Sequence, residues 1–278
     1  MKKIGFVDYY ISEWHANNYP GWIREVSNEF DVAYAWAELN TSLGDGVTTE
    51  EWCANMNVAK CDTLEELCEK SDMIVILAPS DPQKHIEYAR KVLPYGKPTY
   101  IDKPFADTTE NALEIFSIAK EFGTPFFSTS ALRYATELDL TDVCNSVSTM
   151  GGGSNLPEYI IHQAEMIVHK MGVGATALKG QKIADNQYSF VIRYGDDRAA
   201  AMHFAKGANF AVILSPNSDA DVIVSNIESD FFKLLIQDIL SFFESKKPSF
   251  DTVETMEVNR IMVAAIQAMG QPDQWISL

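Results

Sequence analysis

Short apolar runs alternate with helical patterns through the first 130 residues, and this alternation constrains the fold more than any other feature of the chain. The runs Lys3–Val7, Asp31–Ala37, Met73–Leu77, Thr99–Ile101 and Pro125–Ser128 have the length and composition of strands. Between them, Thr63-Leu64-Glu65-Glu66 has the spacing of a capping box and opens a short helix that stops at Lys70. Gln83–Leu93 carries a second helical pattern. Thr108–Phe122 carries a third, with Gly123 placed as its C-terminal stop. Strands joined by helical crossovers build a doubly wound parallel sheet, an α/β architecture.

Near Ser130–Tyr134 the rhythm changes. After one more helix, Glu158–Met171, come the runs Ala175–Ile183, Gln187–Tyr194, Arg198–Phe204, Phe210–Leu214 and Asp221–Val224. Turn residues separate them: Asp185-Asn186, Gly195-Asp196-Asp197, Lys206-Gly207 and Pro216-Asn217. Consecutive strands on short turns predict a mostly antiparallel open sheet. Two helices, Asp230–Ser245 and Thr252–Met269, close the chain. The expected organisation is an α/β domain over 1–130 and an α+β domain over 131–278.

Composition narrows the partners. A formal net charge of −17, from 39 acidic against 22 basic residues, repels phosphate backbones and anionic lipid. Nucleic acid and membrane are therefore not expected partners, and no apolar run reaches the ~18–20 residues of a membrane span. Met1-Lys2-Lys3 before Ile4–Val7 resembles a leader, but Asp8 ends the apolar stretch, so it reads as a first strand. The cysteines, Cys53, Cys61, Cys68 and Cys144, form no CxxC pair and are expected as free thiols of a cytoplasmic protein.

Two places carry residues suited to chemistry. In Tyr100-Ile101-Asp102-Lys103-Pro104 a strand runs directly into an acid, a lysine and a proline. Ligands of an open parallel sheet bind at the carboxyl ends of its strands, and proline bars the preceding residue from helical geometry. Lys103 is thus aimed reproducibly; the plainer alternative is an exposed lysine in a turn. On the later helix Glu158, His162, Glu165 and His169 fall four, three and four apart, on one face, while Ile160, Ala164, Ile167 and Met171 form a separate apolar stripe. The simpler expectation for the polar face is a solvated one with acid–base pairs. Four ligands would be spread over about 16 Å, too far to meet at one ion, and no metal site is expected.

Val75-Ile76-Leu77-Ala78-Pro79, His85, Gly96-Lys97-Pro98 and Asp102-Lys103-Pro104 together resemble the glucose-fructose oxidoreductase/inositol dehydrogenase (Gfo/Idh/MocA) family. That family has Glu-Lys-Pro where Asp102-Lys103-Pro104 stands, and often an arginine or asparagine where Arg133 falls. Its helix pattern of Asp, His, Asp and Gly is met by Glu158, His162, Glu165 and Gly172 at the same spacing, with both aspartates replaced by glutamates. Leu235–Ile239 through Lys247-Pro248 resembles its closing segment. The resemblance implies a Rossmann-type first domain and an oxidoreductase moving a hydride between NAD or NADP and a sugar, polyol or related hydroxy compound. It implies that His162 is the general base, that Lys103 polarises the substrate oxygen and that Glu158 stands with them. Arg133 and Glu165 fall at the substrate, and the assembly is a homodimer or homotetramer. By the same resemblance Asp8, Tyr9, Tyr10, Ile11, Glu38, Ala78, Pro79, Asp102 and Lys103 lie at the cofactor.

One departure bears on all of this. A dinucleotide fold shows Gly-x-Gly-x-x-Gly after its first strand, so that the backbone approaches the pyrophosphate. This chain reads Asp8-Tyr9-Tyr10-Ile11-Ser12-Glu13-Trp14-His15, without a glycine. The tyrosines and Ile11 fill the phosphates' space, and Asp8 and Glu13 add like charge. Glu38, ending the second strand, is placed where an acid binds the adenosine ribose, which favours NAD over NADP. Two alternatives therefore stand beside the dehydrogenase. One is a catalytically altered member that binds a sugar-like ligand or a partner without nicotinamide turnover. The other is a lyase or isomerase using Lys103 and His162 as acid and base.

Overall fold

A computed structural model describes every residue except 143 and 217–219. The Pro216-Asn217 turn expected from the sequence lies partly outside the described residues. Two compact units are present, Met1–Thr129 with Leu235–Phe250, and Ser130–Leu234 with Asp251–Leu278. The sequence assigns all of 131–278 to one domain, whereas contacts join Leu235–Phe250 to the first unit.

The first unit holds β1 (Lys2–Asp8), α1 (Trp14–Val26), β2 (Phe30–Ala37), α2 (Thr49–Met56), β3 (Ala59–Lys60), α3 (Leu64–Lys70), β4 (Met73–Ile76), α4 (Gln83–Val92), β5 (Thr99–Ile101), α5 (Thr109–Phe122) and β6 (Phe126–Phe127). The six strands pair in parallel in the order β3-β2-β1-β4-β5-β6, the doubly wound arrangement. Ile4, Phe6, Val7 and every residue of β4 are buried, because helices cover both faces of a parallel sheet. Thr63 caps α3 through the Glu66 amide, and Gly123 ends α5 at φ 64°, a left-handed position that favours glycine.

Two helices were not expected. In α1, Pro20-Gly21 reads as a break, yet Ala16, Tyr19, Pro20 and Ile23 bury one face and the helix continues through the proline. In α2, Thr48 and Glu51 form both arms of a capping box.

The second unit comprises β7 (Ser146–Gly151), α6 (Leu156–Met171), β8 (Ala175–Ala184), β9 (Gln187–Tyr194), β10 (Ala199–Ala205), β11 (Ala211–Ser215), β12 (Ile223–Asn226), the first residues of α7 (Phe231–Ser245), α8 (Val253–Met269) and β13 (Trp275–Ser277). Its sheet order is β12-β11-β7-β10-β9-β8-β13. All pairs are antiparallel except β10 with β7, which makes the sheet mixed. Asn186 and Asp197 take positive φ at two hairpin turns. Residues of α6 and α8 pack on one sheet face to form the core. Buried Gln163 fastens α6 to that face. It donates to the carbonyls of Gly151 and His203 and accepts from the Thr149 hydroxyl and the His203 amide.

Candidate active site

At the carboxyl end of β5 the Asp102 amide donates to the Ile76 carbonyl over 2.8 Å, fixing the start of the turn. The Asp102 side chain is buried, and its Oδ1 lies 3.3 Å from the Tyr19 hydroxyl and 3.2 Å from the Tyr100 hydroxyl. Its Oδ2 has no hydrogen bond but lies 3.7 Å from Lys103 Nζ and 3.8 Å from His15 Nε2. Lys103 is only 14% exposed and precedes a cis proline. His15 Nδ1 is 3.0 Å from Glu13 Oε2. Glu13, His15, Asp102 and Lys103 therefore form a line of alternating acidic and basic side chains across the strand ends. Burial first, then the Asp102 charge, pushes the Tyr19 phenol well above its ordinary value.

Asp8 ends β1 beside this line. Its Oδ1 accepts from the Tyr9 amide at 2.7 Å and the Ala78 amide at 3.0 Å, while Oδ2 is buried without a hydrogen bond. Burial, then the Glu13 charge, pushes the Asp8 carboxyl well up. Ala78 sits at φ 60°, a strained position for a residue with a Cβ, and the Asp8 bond helps hold it there. Ile11 is fully buried, and Tyr9 and Tyr10 are half-buried with ring centres 5.9 Å apart. Glu38 faces α4, where its two oxygens accept from Lys84 and Tyr88, each at 2.9 Å. Burial raises its carboxyl pKa, but those two bonds outweigh burial and hold it below the ordinary value.

His15 and Tyr19 are the site residues that the sequence did not single out. Their only signal is the i, i+4 spacing on α1, which the Pro20-Gly21 pair hides.

In the second unit Asn155 caps α6, accepting from the Glu158 amide and donating to the Glu158 carboxylate. Glu158 thereby completes the helix start. His162 Nδ1 lies 2.6 Å from Ser130 Oγ, and its ring meets Tyr159 and Phe210 edge-on at 5.6 and 5.5 Å. The Glu165 carboxylate takes the Ser130 amide and the Arg133 guanidinium, which also reaches Glu254. The polar helix face expected to be solvated is thus partly buried, because Arg133 neutralises Glu165 from inside. Burial, then Arg133 and Lys170, depresses the His169 pKa to about 4. Among the described residues no group of three or more His, Cys, Asp or Glu is placed to hold a metal.

Residues 37–129 match the family model described as oxidoreductase family, NAD-binding Rossmann fold, GFO_IDH_MocA. Over these residues the chain is similar to the Gfo/Idh/MocA oxidoreductases. An uncharacterised oxidoreductase of Schizosaccharomyces pombe is 30% identical over 103 residues, 37% of this chain and 27% of its own. The match thus spans about a quarter of that curated relative. The fold is also that of GenD2 of gentamicin A biosynthesis, solved with NAD, at TM-score 0.81 and 11% identity over 100% of this chain and 97% of that one. Lactobacillus casei scyllo-inositol dehydrogenase, solved with NAD(H) and scyllo-inositol, gives 0.79 and 12% over 99% and 98%.

The Gfo/Idh/MocA first domain is an NAD-binding one, and in this fold a pyrophosphate is held at the N-terminus of the first helix. Here the amides of His15 and Ala16 at that terminus already donate to the Glu13 carboxylate. With Ile11 packed inside and Asp8 adjacent, the loop does not fit a pyrophosphate while Glu13 stays in that place.

Proposed function

We propose that the chain is a dehydrogenase-type oxidoreductase acting at a carbinol or carbonyl carbon of a sugar, polyol or related hydroxy compound. The observation that carries this reading is Lys103. It stands just past the carboxyl end of β5, an interior strand of the parallel sheet, little exposed, with the buried Asp102 carboxyl 3.7 Å away. In this reading the Lys103 ammonium stabilises charge on the substrate oxygen, and His162 exchanges the hydroxyl proton. Ser130 holds His162 through Nδ1. Arg133 and Glu165 support Ser130, and Glu158 supports the helix that carries His162.

The redox partner in this reading is NAD in preference to NADP, because the Glu38 carboxylate at the end of β2 disfavours a ribose phosphate. The assembly is a homodimer or homotetramer through the open face of the second sheet, on which Met150, Val191, Ile213 and Val224 are exposed. No described helix is long and apolar enough to cross a membrane, and the four cysteines are free and buried. We place the protein in the cytoplasm.

A second reading is favoured by the carboxylate on α1: a family member that binds its hydroxy ligand without nicotinamide turnover. Incubation with NAD or NADP and a panel of inositols, aldoses and alditols, followed by nicotinamide absorbance, separates the two. Turnover that Lys103→Ala lowers by about 10²–10⁴-fold supports the dehydrogenase. Saturable binding of a polyol with no turnover on either nucleotide supports the second reading.

A further inference from the structure

The N-terminus of α1 is the strongest anion site that a doubly wound sheet offers, because the first amides of a helix lack partners within it and the helix dipole adds to their charge. In this chain the helix supplies its own anion. Glu13 has extended geometry at the cap, φ −137° and ψ 171°, and its carboxylate turns back onto its own helix. Oε2 accepts from the His15 amide at 2.9 Å and lies 3.0 Å from His15 Nδ1, while Oε1 accepts from the Ala16 amide. The Glu13 amide is tied to the Ile11 carbonyl at 2.9 Å, so the loop holds the cap in place from behind. The side chain is 8% exposed. Caps are normally short side chains such as Ser, Thr, Asp or Asn, so a glutamate folded back in this way brings more bulk and a full charge to the helix end.

The surroundings sharpen the point. Asp8 is buried close to Glu13 and Asp102 is buried across the His15 ring from it, and each keeps one carboxyl oxygen without a hydrogen bond. A phosphate brought to the amides that Glu13 occupies meets that carboxylate's like charge at short range, and removing the carboxylate relieves it.

We propose that the Glu13 carboxylate is an internal stand-in for the dinucleotide phosphate, so that a nicotinamide dinucleotide binds this chain only by displacing it. The loop without glycines is then self-inhibiting, and the chain's affinity for dinucleotide is set by a residue that never contacts substrate. The inference rests on the nicotinamide reading above.

The test is the affinity for NADH, by calorimetry at neutral pH, of the wild-type chain and of Glu13→Ser and Glu13→Gln. Serine keeps a hydroxyl cap for the helix while clearing the carboxylate. Glutamine keeps the length and removes the charge, and so remains informative if the serine variant folds poorly. The expected result is binding tightened by about tenfold or more in Glu13→Ser and by less in Glu13→Gln. Equal or weaker binding by both folded variants overturns the inference and leaves the nicotinamide reading standing. Absence of NADH binding by all three proteins overturns the nicotinamide reading and the inference with it.

Discussion

Arg133 and Glu165 form an ion pair of 2.9 Å inside the second unit, their side chains 6% and 4% exposed. Glu254 shares the guanidinium, and Glu165 also holds the Ser130 amide, so this pair fixes the residue that contacts His162. Removing one partner strands a buried charge, which costs about 3–5 kcal/mol. Arg133→Met should therefore lower the unfolding free energy in urea by that amount. Adding Glu165→Leu should recover part of the loss. A single variant as stable as wild type would show that the pair is not sealed from solvent.

Asp8 is predicted to weaken the fold at neutral pH. Its folded pKa lies above the unfolded value, so the folded state holds the proton more tightly. The stabilisation is present in acid and is lost as pH rises from about 4, the unfolded value, towards the folded one. Asp8→Asn retains an Oδ1 acceptor for Tyr9 and Ala78 and carries no charge. The Tm difference, variant minus wild type, should grow between about pH 4 and pH 7. A difference independent of pH would mean that Asp8 is not perturbed.

His169 titrates in the opposite sense. With a folded pKa of about 4 against an unfolded value near 6.5, its neutral form contributes stability above the unfolded value, and that contribution is lost as pH falls through this window. His169→Gln should lose less stability than wild type on going from neutral to mildly acidic buffer. An unchanged acid slope would assign the loss to other groups.

The four thiols are buried, and burial pushes those of Cys53 and Cys61 to about 11 and that of Cys68 to about 12. Thiolate is the reactive form, so these groups should resist a disulfide reagent at mildly alkaline pH in the native state. All four should react on unfolding. Rapid labelling of native protein would show local opening around α2 or α3.

Much of the fold was legible because its strands announce themselves in two different ways. Thr99–Ile101 and Gln187–Tyr194 were found at their observed bounds, the first as a fully buried parallel run and the second by alternation. Gly123 marked a helix end by chemistry alone. The losses are physical too. Ser146–Gly151 is poor in apolar residues and gains strand identity from pairing with β10 and β11 on either side. Lys103 and His162 were recognisable from their motifs. The Arg133–Glu165 pair was not, because it joins a turn to a helix 32 residues later. Glu13 was visible as an unwelcome charge, but its place on the α1 amides depends on a helix that the sequence conceals behind Pro20.

The dehydrogenase reading requires that this glycine-free loop still admit a nicotinamide dinucleotide. Calorimetric titration of the folded wild-type chain with NADH and NADPH measures it. Saturable binding of NADH, tighter than that of NADPH, is the predicted result. Heat indistinguishable from dilution for both nucleotides, on protein shown folded by circular dichroism, would contradict the dehydrogenase reading.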